Sequence, residues 1–125
     1  MYNSGLILEG GGMRGIYTAG VLDFFIDKDI YFKNNYGVSA GICHACSYLA
    51  KQRNRAYGVN VDYLDDKRYA SFYSLITTGD YFGADMLYNI IPNELYPFDF
   101  KTYDEFEGSL YAVVTNIETG KAEYI

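Results

Sequence analysis

The sequence predicts an α/β fold, a parallel-rich central sheet flanked by helices, and three observations predict it. A short apolar run at 5–9 ends in consecutive glycines, and a helix-like segment follows. A second extended run ends in a glycine-flanked serine at 37–41, and another helix-like segment follows. A third strand signal arrives late, at 110–115, and turns back on itself. Parallel neighbours need a crossover connection, so strand, glycine loop, helix, strand, tight turn, helix is the order in which such a sheet is built.

Each element has its own warrant. Residues 5–9 (GLILE) have the form of a buried parallel strand, a brief apolar run without alternation. Over 16–28, Ile16, Gly20, Leu22, Phe24 and Phe25 alternate with Asp23, Asp27 and Lys28, which predicts a helix with one buried side. Extended character at 30–32 and 36–38, on either side of Asn34 and Asn35, predicts a second strand ending at Val38. A helix rich in small residues follows over 42–51. The middle gives weaker signals: a helix over 67–76, a short one over 84–90 that Pro92 follows, and a helical turn at 104–107. Residues 110–115 (LYAVVT) read as a strand, 118–121 as a turn and 122–125 as the start of a returning strand. The chain stops inside that hairpin with no closing helix, which reads as one domain cut short. No internal repeat or linker interrupts it.

Composition narrows the function classes. Half of the 125 residues are apolar and 18% are aromatic, enough for a packed core. Sixteen acids against ten bases leave a net charge of −6, and the densest basic stretches are only 51–55 and 67–68. Nucleic acid is therefore not expected as a partner, because phosphate binding needs clustered Lys and Arg. The N-terminus lacks the basic and apolar regions of a signal peptide, and no segment reaches the roughly 20 apolar residues needed to span a bilayer. Two cysteines make no disulfide framework, which fits a reducing compartment. The expectation is a soluble, cytoplasmic protein of bacterial type.

Two glycine motifs carry the chemistry. Gly37-Val38-Ser39-Ala40-Gly41 is a G-x-S-x-G pentapeptide placed after a strand and before a small-residue helix. A serine on such a strained turn is pushed out of the sheet, and side chains two positions away on either side would collide there. The helix N-terminus then aims unpaired N–H groups at a developing oxyanion. Gly10-Gly11-Gly12-Met13-Arg14-Gly15 follows the first strand, and its backbone N–H groups can converge on one oxygen. Arg14 either holds this loop or meets an anionic head group. The same six residues satisfy G-x-G-x-x-G, the dinucleotide fingerprint. That reading wants an acid at the end of the second strand; Asp27 and Asp29 fall before it, and the strand ends in the serine elbow instead.

The pair GGGMRG and GVSAG, with LILEGGGMRGIYTAGVLDFF, DKRY at 66–69 and TNIETGKAEY at 115–124 around it, resembles the patatin-like phospholipase family, in particular its bacterial branch. The resemblance runs along essentially the whole chain. It implies a three-layer α/β/α domain of which this chain is the N-terminal part, and lipid acyl-ester hydrolysis by a Ser–Asp dyad without cofactor or metal. Ser39 would be the nucleophile, the N–H groups of Gly11, Gly12 and Ala40 the oxyanion hole, and Gly10, Arg14, Gly15, Gly37 and Gly41 its supports. The family's aspartate stands in an Asp-Gly-Gly or Asp-Gly-Ala motif, and no Asp here is followed by Gly. Asp62, Asp65, Asp66, Asp85, Asp99 and Asp104 read as solvated or capping acids, and Gly79-Asp80 has the wrong order. The general base is thus expected beyond this chain, and the alternative is a non-catalytic fragment that serves binding or interaction.

The remaining signals have plain readings. His44 lies more than a helical turn beyond Ser39, so it is expected to be a packed or rim histidine and not a base. Cys43 and Cys46 form a C-x-x-C without the further ligands a structural zinc needs, and read as small apolar residues on the helix behind the serine. The aromatic middle (Tyr63, Tyr69, Phe72, Tyr73, Tyr81, Phe82, Tyr88, Tyr96, Phe98) reads mainly as core, with a lipid-facing role for some members and a membrane or micelle surface as a transient partner.

Overall fold

The computed structural model describes residues 1–125. In chain order the elements are β1 (Tyr2–Leu8), a 3-10 turn (Gly12–Gly15), α1 (Ile16–Asp27), β2 (Phe32–Gly37), α2 (Ala40–Leu49), α3 (Arg55–Val61), α4 (Phe72–Thr78), a π-helical segment (Met86–Leu95), α5 (Phe100–Asp104), β3 (Ser109–Thr115) and β4 (Ala122–Tyr124). They fall into two compact units, residues 1–56 with 99–125, and residues 57–98.

The first unit holds a four-stranded sheet in the order β1-β2-β3-β4. β1 and β2 pair in parallel, β2 and β3 pair in parallel, and β4 returns antiparallel to β3. The α/β class and the parallel-rich sheet are therefore as the sequence predicts. Register follows from which residues can be buried. Leu8 pairs with Gly37 and Leu6 with Asn35, which in turn pairs with Leu110, and these residues share one face. Against that face pack Leu22 and Phe25 of α1, and Ala45, Tyr48 and Leu49 of α2. Tyr31 stacks on Tyr48 at 5.0 Å, and the Tyr48 hydroxyl donates to the Ile30 carbonyl at 2.7 Å. Burial pushes both phenols above their ordinary range. The other face carries Ile7, Tyr36 and Tyr111, with the two tyrosine rings stacked at 5.1 Å and Ile7 79% exposed.

Two details of this unit differ from the sequence expectation. In α1 the buried residues are Ala19 and Leu22, while Gly20 and Phe24 face outward, so the buried stripe is narrower than the spacing of apolar residues suggests. In α2 the inward face is Gly41, His44, Ala45, Tyr48 and Leu49. Cys43 lies on the opposite side and is exposed, Cys46 is half-buried, and both are free thiols.

The second unit is helical, with Tyr69, Met86 and Ile91 at its centre and Val59, Tyr63, Ile90 and Tyr96 around them. Here the expected boundaries shift. The helix expected over 67–76 begins only at Phe72, because Ser71 caps it by accepting from the Ser74 N–H at 2.9 Å; Gly79, at φ 86°, closes it. The helix expected to stop before Pro92 runs through it to Leu95 in a wider spiral, with the Tyr96 N–H bonded to the Ile91 carbonyl at 2.7 Å. An α-helix would press the proline ring against the carbonyl four residues back, and the wider spiral relieves that contact. The helical turn expected at 104–107 lies earlier, as α5 in the first unit, started by Asp99 accepting from the Thr102 N–H. α3 was not anticipated.

Candidate active site

β2 delivers the chain to Ser39 at the N-cap of α2. The Val38 N–H donates to the Leu8 carbonyl at 3.0 Å, so the strand end is tied to β1 just before the turn. Ser39 then adopts φ 50°, ψ −123°, a conformation that costs a residue with a side chain about 1–3 kcal/mol. Two hydrogen bonds hold it: the Gly41 N–H to the Val38 carbonyl at 2.8 Å, and the Ile42 N–H to the Ser39 carbonyl at 3.1 Å.

The flanking glycines are dictated by space. A Cβ on Gly37 would lie 2.4 Å from Ile42 Cα and 2.6 Å from Ile42 N. A Cβ on Gly41 would lie 2.4 Å from the Leu8 carbonyl oxygen and 2.8 Å from that of Glu9. Only hydrogen fits at either place. The serine itself is exposed, and its side chain makes no capping bond to the helix behind it.

The glycine loop lies alongside. A Cβ on Gly10 would come within 3.1 Å of Ser39 Cβ and 3.3 Å of the Val38 carbonyl oxygen. Gly12 sits at φ 52°, a left-handed backbone that glycine adopts without cost, and the Arg14 N–H closes the turn onto the Gly11 carbonyl at 3.1 Å. The Arg14 guanidinium folds back beside Gly11, its Nε 3.7 Å from where a Gly11 Cβ would stand. The N–H groups of Val38, Gly41 and Ile42 are bonded, whereas those of Gly11 and Gly12 donate to no backbone carbonyl of a loop or cap. Ala40 opens α2, so its N–H has no acceptor within the helix. The exposed Ser39 thus lies beside a glycine loop and at a helix start, which together carry three N–H groups that no loop or cap carbonyl takes up.

His44 is 2% exposed and its Nε2 has no hydrogen-bond partner. Burial alone holds its pKa below the ordinary 6.5, so the ring is neutral at pH 7. The ring packs on Gly15, at the far end of the glycine loop, as the packed-histidine expectation requires. Nothing in the local pattern of either residue announces that contact.

The acids are occupied elsewhere. Asp66 pairs with Arg68 at 2.6 Å, Asp85 accepts from Asn89 at 3.1 Å, Asp62 accepts from the Tyr96 hydroxyl, and Asp99 caps α5. Asp65, Asp80 and Asp104 are exposed. No group of three or more His, Cys, Asp or Glu side chains is arranged to hold a metal ion. Burial raises the thiol of the half-buried Cys46 above its ordinary range, and the neighbouring Cys43 adds to the shift. Two clefts, of about 350 Å³ in the helical unit and about 310 Å³ in the sheet unit, are both lined by residues other than Ser39 and the glycine loop. No helix is long and apolar enough to cross a membrane.

Comparison with known proteins bears on this arrangement. The family model described as patatin-like phospholipase matches residues 6–123. The uncharacterized protein YjjU of Escherichia coli (strain K12) is 38% identical over 79 residues, an alignment that covers 57% of this chain and 22% of that protein. The chain thus spans about a fifth of the length of that curated relative. No solved structure gives a significant match.

Proposed function

This chain belongs to the patatin-like phospholipase family, and on that premise we propose that it is the N-terminal part of a single patatin-like domain that hydrolyses acyl esters of lipids. In this reading the Ser39 hydroxyl attacks the acyl carbonyl, and the oxyanion that forms is held by the N–H groups of Gly11, Gly12 and Ala40. The alcohol leaves, and water then hydrolyses the acyl-Ser39 ester. Gly37 and Gly41 permit the turn, Gly10 and Gly15 the approach of the loop, and Arg14 steadies it. The base that takes the serine proton is an aspartate beyond residue 125. The reaction takes place in the cytoplasm of a bacterium, at a lipid or micelle surface that the protein visits transiently, with no cofactor, metal or nucleic acid taking part.

The observation that carries this reading is the placement of an exposed serine, at φ 50°, beside a glycine loop and a helix start whose N–H groups are unspent. A fluorophosphonate probe tests it. The wild-type chain is expected to take the label at Ser39, as read by peptide mapping, and Ser39→Ala to take none. Label at another residue, or undiminished label in the variant, overturns the assignment.

One observation favours the second reading, a non-catalytic fragment that serves binding. No Asp in the chain is followed by Gly, and no carboxylate bonds to Ser39. Loss of a positioned base costs about 10²–10⁴ in rate. The 125-residue form is accordingly weak or inactive in turnover of a short-chain ester. Vigorous Ser39-dependent turnover by it would remove the need for the distant aspartate.

A further inference from the structure

Gly15 ends the glycine loop in an ordinary helical conformation, φ −59°, ψ −13°, which any residue adopts. Backbone freedom therefore does not explain a glycine there. Space does: a Cβ on Gly15 would lie 2.4 Å from His44 Nε2, 3.0 Å from His44 Cδ2 and 3.6 Å from Ala40 Cβ. The imidazole fills the volume a side chain at 15 would need.

This contact joins the two halves of the proposed oxyanion site. Gly15 closes the loop that bears Gly11 and Gly12, and His44 stands one turn along the helix whose first residue is Ala40. The three donors belong to two separate segments, so their mutual distance depends on how closely loop and helix approach. Gly41 sets that approach on the β1 side, where its missing Cβ admits the Leu8 and Glu9 carbonyls. The His44 ring sets it on the α1 side.

The ring also carries a cost there. Its Nε2 is buried without a partner, so it loses its hydration and gains no hydrogen bond in return. An apolar side chain would avoid that cost.

We propose that His44 is a positioning residue, a spacer that fixes the height of the glycine loop over α2 and so holds the Gly11 and Gly12 N–H groups in line with that of Ala40. It transfers no proton and touches no substrate. The inference rests on Ser39 being the nucleophile with these donors as its oxyanion hole.

The test is the rate of Ser39 phosphonylation by a fluorophosphonate, measured on the full 125-residue chain at several probe concentrations. Serine oxygen bonds to phosphorus and fluoride leaves, so the limiting rate reads oxyanion stabilisation and the half-saturating concentration reads encounter. Gly15→Ala pushes the new methyl against the ring, and the limiting rate is expected to fall about 10- to 100-fold, since displacement by about 1 Å can cost 10²-fold. The half-saturating concentration stays near its wild-type value. In Gly15→Ala with His44→Ala the methyl has room again, and at least half of the logarithmic loss should return. A bystander in the core would not give this compensation. Where Gly15→Ala does not fold, as judged by circular dichroism, His44→Ala alone carries the test, with a limiting rate at least about tenfold below wild type. An unchanged rate in a folded Gly15→Ala, no recovery in the double variant, or an unchanged rate in His44→Ala each overturns the spacer role and leaves the assignment of Ser39 standing. A wild-type chain that takes no label at Ser39 overturns both.

Discussion

Ser39 and His44 each occupy a place that a residue of their type would leave if nothing held it. Ser39 sits at φ 50° because Gly37 and Gly41 leave room for Ile42 and for the β1 carbonyls, and because two backbone bonds close the turn. The Gly37 collision with Ile42 is local, whereas that of Gly41 is with the Leu8 and Glu9 carbonyls, so the pentapeptide reads as this turn only together with the strand before it and the helix after it. His44 is different. Its role depends on Gly15, a residue distant in sequence, and neither residue stands out in its own helix. The histidine nevertheless leaves a measurable trace, because it is the chain's single one and burial depresses its pKa below 6.5. In the unfolded chain the imidazole takes up a proton as pH falls through 6.5, whereas in the folded chain it resists. The folded state is therefore at full strength above pH 6.5 and loses stability as pH falls from there toward the lowered folded value. Asp27, Asp66 and Asp99 are held below the ordinary carboxylate range by their partners, so between pH 6.5 and 5 they add nothing to the decline that His44 causes. Melting temperatures across that window should decline in the wild type and stay flatter in His44→Asn. Parallel declines in the two proteins would detach the effect from His44.

β2 shows how an element can be legible in kind and opaque in detail. Its sequence, FKNNYG, has little of the apolar pattern of a central strand, yet β2 pairs with β1 on one side and β3 on the other. Asn35 is the reason it can. At 0% exposure it lies on the face that α1 and α2 cover, and its Nδ2 donates to the Phe32 carbonyl at 2.9 Å and to the Ser109 carbonyl at 3.2 Å. One side chain thus ties the start of β2 to the start of β3, across the long excursion between them. Asn35→Ala removes both bonds and leaves a void. Urea denaturation is expected to show a loss of about 1–3 kcal/mol without change in the slope. A loss below about 0.5 kcal/mol would mean that the strand pairing needs no such tie. The helical unit is less legible in the sequence for a related reason. In α4 the buried residue is Ser74, while Phe72 and Ile76 face outward, Ile76 at 84% exposure. Apolar spacing cannot find the inner face of a helix that turns its polar side inward, nor foresee a spiral wide enough to admit Pro92.

Across the whole molecule, the sheet has helices packed on the face of Leu8, Asn35 and Leu110, while the face of Ile7, Tyr36 and Tyr111 has its outermost residue almost fully in solvent. β1 is also the sheet edge, with its outer N–H and C=O groups unpaired by another strand. An apolar face beside an open edge is a template for pairing with a second copy. Against this stands the net charge of −6, which makes two copies repel. The two forces scale differently with salt: at about 0.1 M the Debye length is roughly 10 Å, and at about 1 M it is roughly 3 Å, whereas apolar burial is not screened. Association of the 125-residue chain should therefore increase with salt, the opposite of contacts held by ion pairs. Sedimentation velocity at low and high sodium chloride reads this directly. Ile7→Lys places a charge at a position of the edge strand that is already 79% exposed, and it should keep the protein monomeric at both salts while leaving its melting temperature nearly unchanged. A wild-type chain that stays monomeric at high salt would show that the tyrosine rings stacked across β2 and β3 already satisfy this face. Association that weakens with salt would place the contact among the charged residues instead.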